Sequence, residues 1–412
     1  MRSWALAALL VTAGPLAAQA PMAAPQAPLR VFLDCQNLHC DFSFLRREIT
    51  YVDWVRDRAV ADVHVLVTSR RTGAGGREVT LTFIGLRRFA GRTDTTRFTT
   101  GTTDTFAEQR DVLSHELSLG LVPYAQRTAA GPHLSVRYDM PDGQVEATPV
   151  HDPWNYWVFR VAAGGSLNGQ QLEKSYSGRS SLSARRVTES WKLDFGLDAS
   201  YNRDEYVIDT LEVYTRTSWG ADWSSVWSVG PHVSLGFEGQ LNHSTYRNYD
   251  LAFETGPGVE YSVFPYDESS RREITFRYIA GIGSYRYIDS TIFGHLQETR
   301  PLHELNIRAS FQQPWGNLRG GIEARQYLHD LSKHRIELNG GLEFRLVRGL
   351  SLNINGYVAR VKDQINLAAT DLTPAEILVE QRQLGTDYEY HTSISLSYTF
   401  GSIFNNVVNP RF

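Results

Sequence analysis

Methionine, cysteine and long apolar runs are all scarce in this chain. Of 412 residues, only 2 are cysteine and 3 are methionine. Beyond the N-terminus, no uninterrupted apolar run reaches the ~18 residues that a membrane-spanning helix requires, and the mean hydropathy is -0.32. A bundle of transmembrane helices is therefore excluded.

A strong excess of charge of either sign is also missing. The chain has 41 lysines and arginines against 45 aspartates and glutamates, for a formal net charge of -4. It has no basic field for a phosphate backbone, so we expect no nucleic-acid partner. Aromatic residues, in contrast, make up 12% of the chain. Such residues fill β-strands and form the interfacial girdles of membrane barrels.

The first segment has the pattern of an export signal. Arg2 gives a positive start, residues 5–18 are mostly apolar and small, and residues 18–20 (AQA) fit the small-x-small cleavage rule. We predict a signal peptide over residues 1–20, followed by a Pro/Ala linker over 21–29. A membrane anchor is disfavoured, because the apolar core is too short to span a bilayer.

The two cysteines, Cys35 and Cys40, follow this signal and so lie in a compartment that permits disulfides. The four residues between them can close a small loop, and a disulfide is favoured over free thiols. A metal pair is disfavoured, because His39 is the only additional ligand nearby and a structural zinc site takes four. We predict no metal and no cofactor.

Residues 30–150 predict a small α+β domain in the periplasm. Apolar residues recur at helical spacing in two segments and alternate in others. Two alternating segments flank a glycine-rich turn and predict a hairpin. The predicted elements are strands at 30–34, 63–68 and 79–86 and helices at 42–55 and 105–124.

From about residue 152, long segments alternate apolar and polar residues. Trp191 and Leu193 lie on one face, for example, and Lys192 and Asp194 on the other. Period two indicates strands, and these runs exceed the ~9–11 residues that a tilted strand needs to cross a bilayer. Open sheet edges cannot sit in lipid. The sequence therefore predicts a transmembrane antiparallel up-and-down β-barrel over residues 151–401.

Twelve strands are predicted, an even number as single-chain bacterial barrels require. The short connections 188–189, 314–315 and 348–349 fall at one end of the strands, and the long connections 289–300 and 363–387 at the other. This asymmetry is typical of periplasmic turns and outer loops. The predicted strands are 154–168, 176–187, 190–203, 208–220, 229–244, 250–264, 272–288, 301–313, 316–328, 334–347, 350–362 and 388–401.

The polar faces of these strands carry full charges of both signs. One interpretation is a narrow lumen with a constriction that selects by charge. The other is a lumen plugged by paired arginines and carboxylates, since buried charges must be paired. The candidates are Lys192, Asp194, Asp198, Glu238, Arg277, Arg308, Glu323, Arg325, Arg335, Glu337, Glu343 and Arg345.

Six tryptophans in this region also have two interpretations. Girdle residues lie near strand ends and face lipid, whereas tryptophans that stack on a sugar must face the lumen. The alternation around Trp191 favours the girdle. The six are Trp157, Trp191, Trp219, Trp223, Trp227 and Trp315.

The last strand ends in alternating aromatics. Tyr398 and Phe400 resemble the C-terminal signal read by the barrel-assembly machinery, here followed by a tail over residues 402–412. The chain from about residue 152 resembles an uncharacterised family of bacterial outer-membrane barrels, similar to the salt-induced outer-membrane proteins. That resemblance implies a location in outer-membrane lipid and a barrel fold, but no established substrate. The matching stretches are Asn155–Val158, Gln313–Gly316, Gln326–Asp330 and Asn405–Phe412.

Three functions stay open. The first is a narrow pore or transport-related channel with a periplasmic adaptor domain. The second is a closed structural barrel that anchors a domain for a periplasmic protein partner. The third is a lipid hydrolase, suggested by Asn242-His243-Ser244. Neighbours in a strand point to opposite faces, which disfavours a His–Ser pair there, and we expect no enzyme.

Overall fold

The structure is a computed structural model that describes residues 27–137, 152–207, 211–347, 350–369 and 381–400. The predicted signal peptide, most of the predicted linker and the C-terminal tail lie outside these residues. In the part described, the chain forms one five-stranded and one twelve-stranded sheet. None of the helices there is long and apolar enough to cross a membrane.

Residues 27–137 form an α+β unit, here called the N-terminal module. Its elements are β1 (Leu29–Cys35), α1 (Phe42–Glu48), β2 (Val52–Trp54), β3 (Val63–Arg71), β4 (Arg77–Gly85), β5 (Thr93–Thr100) and α2 (Phe106–Ala125). The sheet order is β2-β1-β3-β4-β5. β1 runs parallel to β2 and β3, and the β3-β4-β5 meander is antiparallel. A disulfide joins Cys35 to Cys40 just after β1.

Helix α2 closes the core of the module. A capping box between Thr105 and Glu108 satisfies its first backbone donors. Leu117 and Leu121 are fully buried against the sheet, and the buried residues of this core all lie between Leu29 and Ala125. The module therefore has a hydrophobic core of its own. Because Leu29 belongs to it, β1 begins one residue inside the predicted linker.

Two predictions for the module were incomplete. The helix predicted over 42–55 ends at Glu48, and Val52 and Trp54 instead pair in parallel with β1. The buried residues of β2 continue the apolar spacing of α1, so the sequence pattern does not show where the helix ends and the strand begins. Strand β5 was not predicted, because most of its side chains are threonines and Phe98 alone marks an apolar face.

The twelve-stranded sheet confirms the predicted number of strands. It is antiparallel, and every strand pairs with its neighbours in sequence from β6 to β17. The strands are β6 (Trp157–Gly169), β7 (Glu173–Val187), β8 (Trp191–Val207), β9 (Leu211–Ser228), β10 (Val233–Ser244), β11 (Tyr249–Ser262), β12 (Arg272–Tyr287), β13 (Gln297–Gln313), β14 (Gly316–Tyr327), β15 (His334–Val347), β16 (Leu350–Val361) and β17 (Tyr388–Tyr398). Within the described residues, β6 and β17 are its two edges.

The sheet curls so that its polar face is concave. Arg325 on β14 forms an ion pair with Glu254 on β11, although β12 and β13 lie between them. Arg335 on β15 likewise lies 3.4 Å from Glu389 on β17, across β16. Contacts over intervening strands require strong curvature toward this side. We call it the concave face and the opposite, largely apolar side the convex face.

The two ends of the strands differ in their connections. At the end called the turn rim, β13 and β14 are joined by two residues, 314–315. At the opposite end, the loop rim, lie the long connections 288–296 and 362–387. The predicted short and long connections are therefore at the predicted ends, but the turn rim also carries 263–271, which is as long as 288–296.

The α2 core gives a matched pair of substitutions. Leu117→Ala removes a fully buried side chain and should lower the free energy of unfolding of the module by about 2–5 kcal/mol. Leu119→Ala, on the exposed side of the same helix, should change it by less than about 0.5 kcal/mol. Urea unfolding followed by circular dichroism measures both. Equal losses would show that α2 does not pack as described.

Candidate functional site

The strand registers place all twelve predicted lumen residues on the concave face. Many of them are paired. Asp194 contacts Arg185 and lies 3.5 Å from Lys192, and Glu238 lies 3.4 Å from Arg277. Asp198, Arg308, Glu323 and Glu343 have no ion pair among the described residues, although Glu323 and Glu343 accept hydrogen bonds from Asn306 and Asn317.

A belt of side chains, here called the central belt, crosses the concave interior toward the loop-rim ends of its strands. It consists of Glu254, Tyr285, Arg325 and Tyr327. Tyr285 donates to Glu254 at 2.7 Å, Arg325 pairs with the same carboxylate, and the Tyr327 hydroxyl lies 3.3 Å from that of Tyr285. Three strands contribute, so the belt ties distant parts of the sheet together. Only Arg325 of these four was predicted as a site residue.

The described parts of the connection between β16 and β17, residues 362–369 and 381–387, lie across the loop rim and are here called the strap. Its Ile365 is 3% exposed and packs in a cluster that includes Tyr285 and Tyr327 of the central belt. Asn366 donates to the carbonyl of Arg247 at 2.8 Å, and Arg382 pairs with Asp289 at 2.6 Å. Because β10–β11 and β12–β13 supply these partners, the strap spans the opening from one wall to the other.

Three cavities follow one another along the concave face. The first, of about 640 Å³, lies under the strap and is lined by Asp198, Asn242 and Arg335 among others. The second, of about 340 Å³, lies beside Glu238 and Glu304. The third, of about 450 Å³, lies at the turn rim. The concave interior is therefore not filled by side chains.

The N-terminal module meets the turn rim through an ion pair that we call the latch. Arg345 donates to both carboxylate oxygens of Asp34, at 2.7 and 2.8 Å, and also to the carbonyl of Pro314 at 3.0 Å. Its guanidinium lies 5.2 Å from the ring centre of Phe32. Such bidentate pairs are among the strongest protein hydrogen bonds.

Inside the module, His64 supports the latch. Arg58 donates to Nδ1 of His64 at 3.0 Å, which leaves the ring proton on Nε2, 3.1 Å from Asp34. Burial lowers the pKa of His64, which favours this neutral form. Neither His64 nor Asp34 was predicted as a site residue. An aspartate next to the end of a buried strand, as Asp34 is, was the one signal available.

Burial would raise the pKa of Asp34, but hydrogen bonds from His64 and Arg345 outweigh it and lower that pKa from 3.8 to about 2. The folded state therefore prefers the ionised carboxylate. The resulting stabilisation is complete above about pH 4 and is lost as the pH falls toward 2.

The Asn242-His243-Ser244 segment does not form a catalytic pair. His243 lies on the convex face, stacks on Trp219 with ring centres 5.8 Å apart and hydrogen-bonds the carbonyl of Asp250. Ser244 lies on the concave face, where its hydroxyl accepts from the backbone of Arg247. The two side chains point apart, as their adjacent positions predicted.

The tryptophans on the strands face the convex side, as a girdle requires. The registers place Trp157, Trp191, Trp219, Trp223 and Trp227 there. Trp191 and Trp227 stack at 6.1 Å near the turn rim. Trp315 lies in the turn between β13 and β14, with its ring 5.7 Å from that of Phe344.

Comparison with known proteins adds little. No family model matches the chain, and no curated protein matches it. One similar solved structure is a NanC porin in a rhombohedral crystal form. It is 10% identical, covers 58% of this chain and 99% of its own, and superimposes with a TM-score of 0.27. A likeness this distant carries no argument about function, and the resemblance to salt-induced outer-membrane proteins stays a prediction.

The central belt predicts a large effect of breaking one ion pair. Arg325→Met leaves Glu254 as an unpaired carboxylate and should destabilise the folded protein by about 3–5 kcal/mol. The double variant with Glu254→Gln should recover most of this loss. Arg319→Met on the same strand, whose arginine has no ion pair in the described residues, should cost less than about 0.5 kcal/mol. Urea unfolding in detergent micelles measures all three. A similar loss for Arg319→Met would contradict the belt.

Proposed function

We propose that this chain is an outer-membrane β-barrel that forms a narrow channel, closed in this conformation and gated by the N-terminal module. The observation that carries the proposal is the series of three polar cavities between the loop rim and the turn rim. Side chains can fill a barrel of about eight strands, and twelve strands enclose a wider interior. Here the central belt, through Glu254 and Arg325, borders both the cavity under the strap and the cavity beside Glu238.

The convex face supports insertion in lipid. It carries exposed aromatic and aliphatic side chains such as Phe195, Leu197 and Phe237. The strands are 11 to 18 residues long, enough to cross a bilayer with tilt. Lipid cannot satisfy the backbone groups of free edges. In a run of twelve antiparallel strands, β6 and β17 are antiparallel to each other, so we propose that they pair and close the barrel.

The proposed orientation of the barrel in the membrane follows from the connections and contacts at its two rims. Short turns face the periplasm in outer-membrane barrels, and the module contacts the turn rim. The module is then periplasmic and the strap faces outward. Tyr398 and Phe400 would be read by the barrel-assembly machinery, and outer-membrane lipid would surround the convex face.

The two closures act at opposite ends. The strap covers the outer mouth, and the latch holds the module under the inner one. The latch consists of polar contacts, and the strap adds the buried Ile365 to its polar contacts. Neither belongs to the backbone ladders of the twelve-stranded sheet, so each can open without unfolding that sheet. Solute passage would require the strap to lift and the module to move from Arg345.

The alternative is a closed barrel that anchors the module for a periplasmic protein partner. The paired charges of the central belt favour this reading, because they leave few free charges to conduct ions. Single-channel conductance measurements discriminate between the channel and the closed barrel. A lipid hydrolase has no support from the His243 and Ser244 geometry, and we continue to expect no enzyme.

Weakening the latch should open the channel. Asp34→Asn and Arg345→Gln each remove charge-assisted hydrogen bonds worth about 1.5–3 kcal/mol. In single-channel recordings of the refolded full chain, each variant should show open steps about tenfold or more as often as the wild type. Glu48→Gln, an exposed acid elsewhere on the module, is the control and should behave as wild type. If no variant shows open steps at any voltage, the proposed channel is wrong and the barrel that anchors the module is favoured.

A further inference from the structure

The turn-rim cavity lies between the module and the concave wall. The residues of the disulfide loop, Asp34 to Asn37, form one side, and β14, β15 and β16 form the other. Its volume of about 450 Å³ falls within the ~300–1,000 Å³ range of small-molecule sites. The charged and amide side chains that line this cavity determine which solutes it can bind.

Arg319 supplies an available guanidinium. It lines the cavity and has neither an ion pair nor a side-chain hydrogen bond within the part of the chain that the structure describes. Arg325 and Arg345, on the same and the next strand, are both paired with carboxylates. A guanidinium presents a rigid fork of donors that matches a carboxylate. Arg319 is therefore placed to bind an anionic group of a solute.

Glu343 supplies a carboxylate with spare capacity. It accepts one hydrogen bond, from Asn317 at 2.8 Å, whereas an ionised carboxylate has about four acceptor sites. The other carboxylate of the cavity, Asp34, is already neutralised by Arg345. Glu343 is therefore the group that can receive a cation from the solute.

The two charges lie close enough for one ligand to reach both. Asn317 lies opposite Glu343 and Arg319 lies opposite Gly341, so Arg319 and Glu343 are diagonal neighbours on β14 and β15. The backbones of diagonal neighbours are about 7–8 Å apart, and the two side chains form no ion pair with each other here. Both charges are therefore available to a solute that carries one charge of each sign. A dipeptide is such a solute, and its two residues span about 7 Å when extended, which fits a cavity of about 450 Å³.

The remaining lining matches peptide groups. Asn353 and Asn355 project into the cavity and bond to each other at 2.9 Å, which leaves further donors and acceptors free. Gln36 borders the cavity on the side of the module. The two asparagines therefore supply the donors and acceptors that can bond to a peptide group.

We propose that the turn-rim cavity binds a zwitterionic solute of dipeptide size, with its carboxylate on Arg319 and its ammonium on Glu343. This deepens the proposed channel by naming the class of solute that it takes at its inner mouth. Binding itself needs only the docked module and the concave wall.

Isothermal titration calorimetry on the refolded full chain in detergent tests this directly. Alanyl-alanine should bind saturably. N-acetyl-alanyl-alanine lacks the ammonium and alanyl-alanine amide lacks the carboxylate, so each should bind at least about tenfold more weakly. Equal binding of all three peptides, or no saturable binding of alanyl-alanine, would overturn the proposal.

Variants locate the two charges. Arg319→Gln should weaken alanyl-alanine binding about tenfold or more but leave the already weak binding of alanyl-alanine amide nearly unchanged, and Glu343→Gln should do the same for the acetylated peptide. Arg308→Gln is the matched control. Arg308 also lies on the concave face without an ion pair in the described residues, but it does not line the cavity.

If Arg308→Gln and Arg319→Gln weaken alanyl-alanine binding equally, the loss reflects general electrostatic attraction to the concave face, and the proposed site is wrong. The calorimetry is independent of conduction. Peptide binding by a protein that never conducts would contradict the channel alone, whereas conduction without binding would contradict this site alone.

Discussion

Every functional statement about this protein depends on the register of twelve strands. Side chains alternate between faces with a period of two, so a slip of one residue in any ladder would exchange the concave and convex sets of that strand. The contacts across intervening strands, such as Arg325 with Glu254, fix which set is inside. Backbone pairing, rather than any single side chain, therefore creates a polar concave face and a largely apolar convex face.

Near the central belt, the concave interior combines charge with low exposure to solvent, and this determines which side chains pair there. Unpaired charges in such surroundings are costly, and most arginines near the central belt have a carboxylate partner. Cavities persist where partners are missing, as at Asp198 and Arg319. The same chemistry reaches beyond the sheet in the latch, where the pair between Asp34 and Arg345 joins the module to the turn rim.

The strands were predictable because their signal is local. Alternation needs only the residues of one strand, and most predicted bounds agree with the structure to within a few residues. The largest errors are extensions, as in β9, which continues from the predicted end at 220 to Ser228. The helix predicted over 42–55 failed for the opposite reason, since a short strand continued its apolar spacing after Glu48.

The faces of the site residues were predictable, but their partners were not. Which carboxylate meets Arg325 depends on how strongly the sheet curls, and no local pattern encodes that. Tyr285 and Tyr327 were not predicted as site residues, although they belong to the central belt and their hydroxyls lie 3.3 Å apart. Asp34 could not be linked to Arg345, because they are 311 positions apart and belong to different sheets.

The most direct measurement is an accessibility scan of β8 by spin labelling. Labels are placed one at a time at residues 192 to 201 of the protein refolded in lipid, and relaxation by oxygen and by a water-soluble nickel chelate is recorded. The structure and the proposed barrel predict a period of two, with odd positions such as Leu193 and Phe195 reached by oxygen and even positions such as Asp194 and Asp198 reached by nickel. If both reagents reached the same positions in phase, the sheet would not separate lipid from a lumen, and the barrel would be wrong.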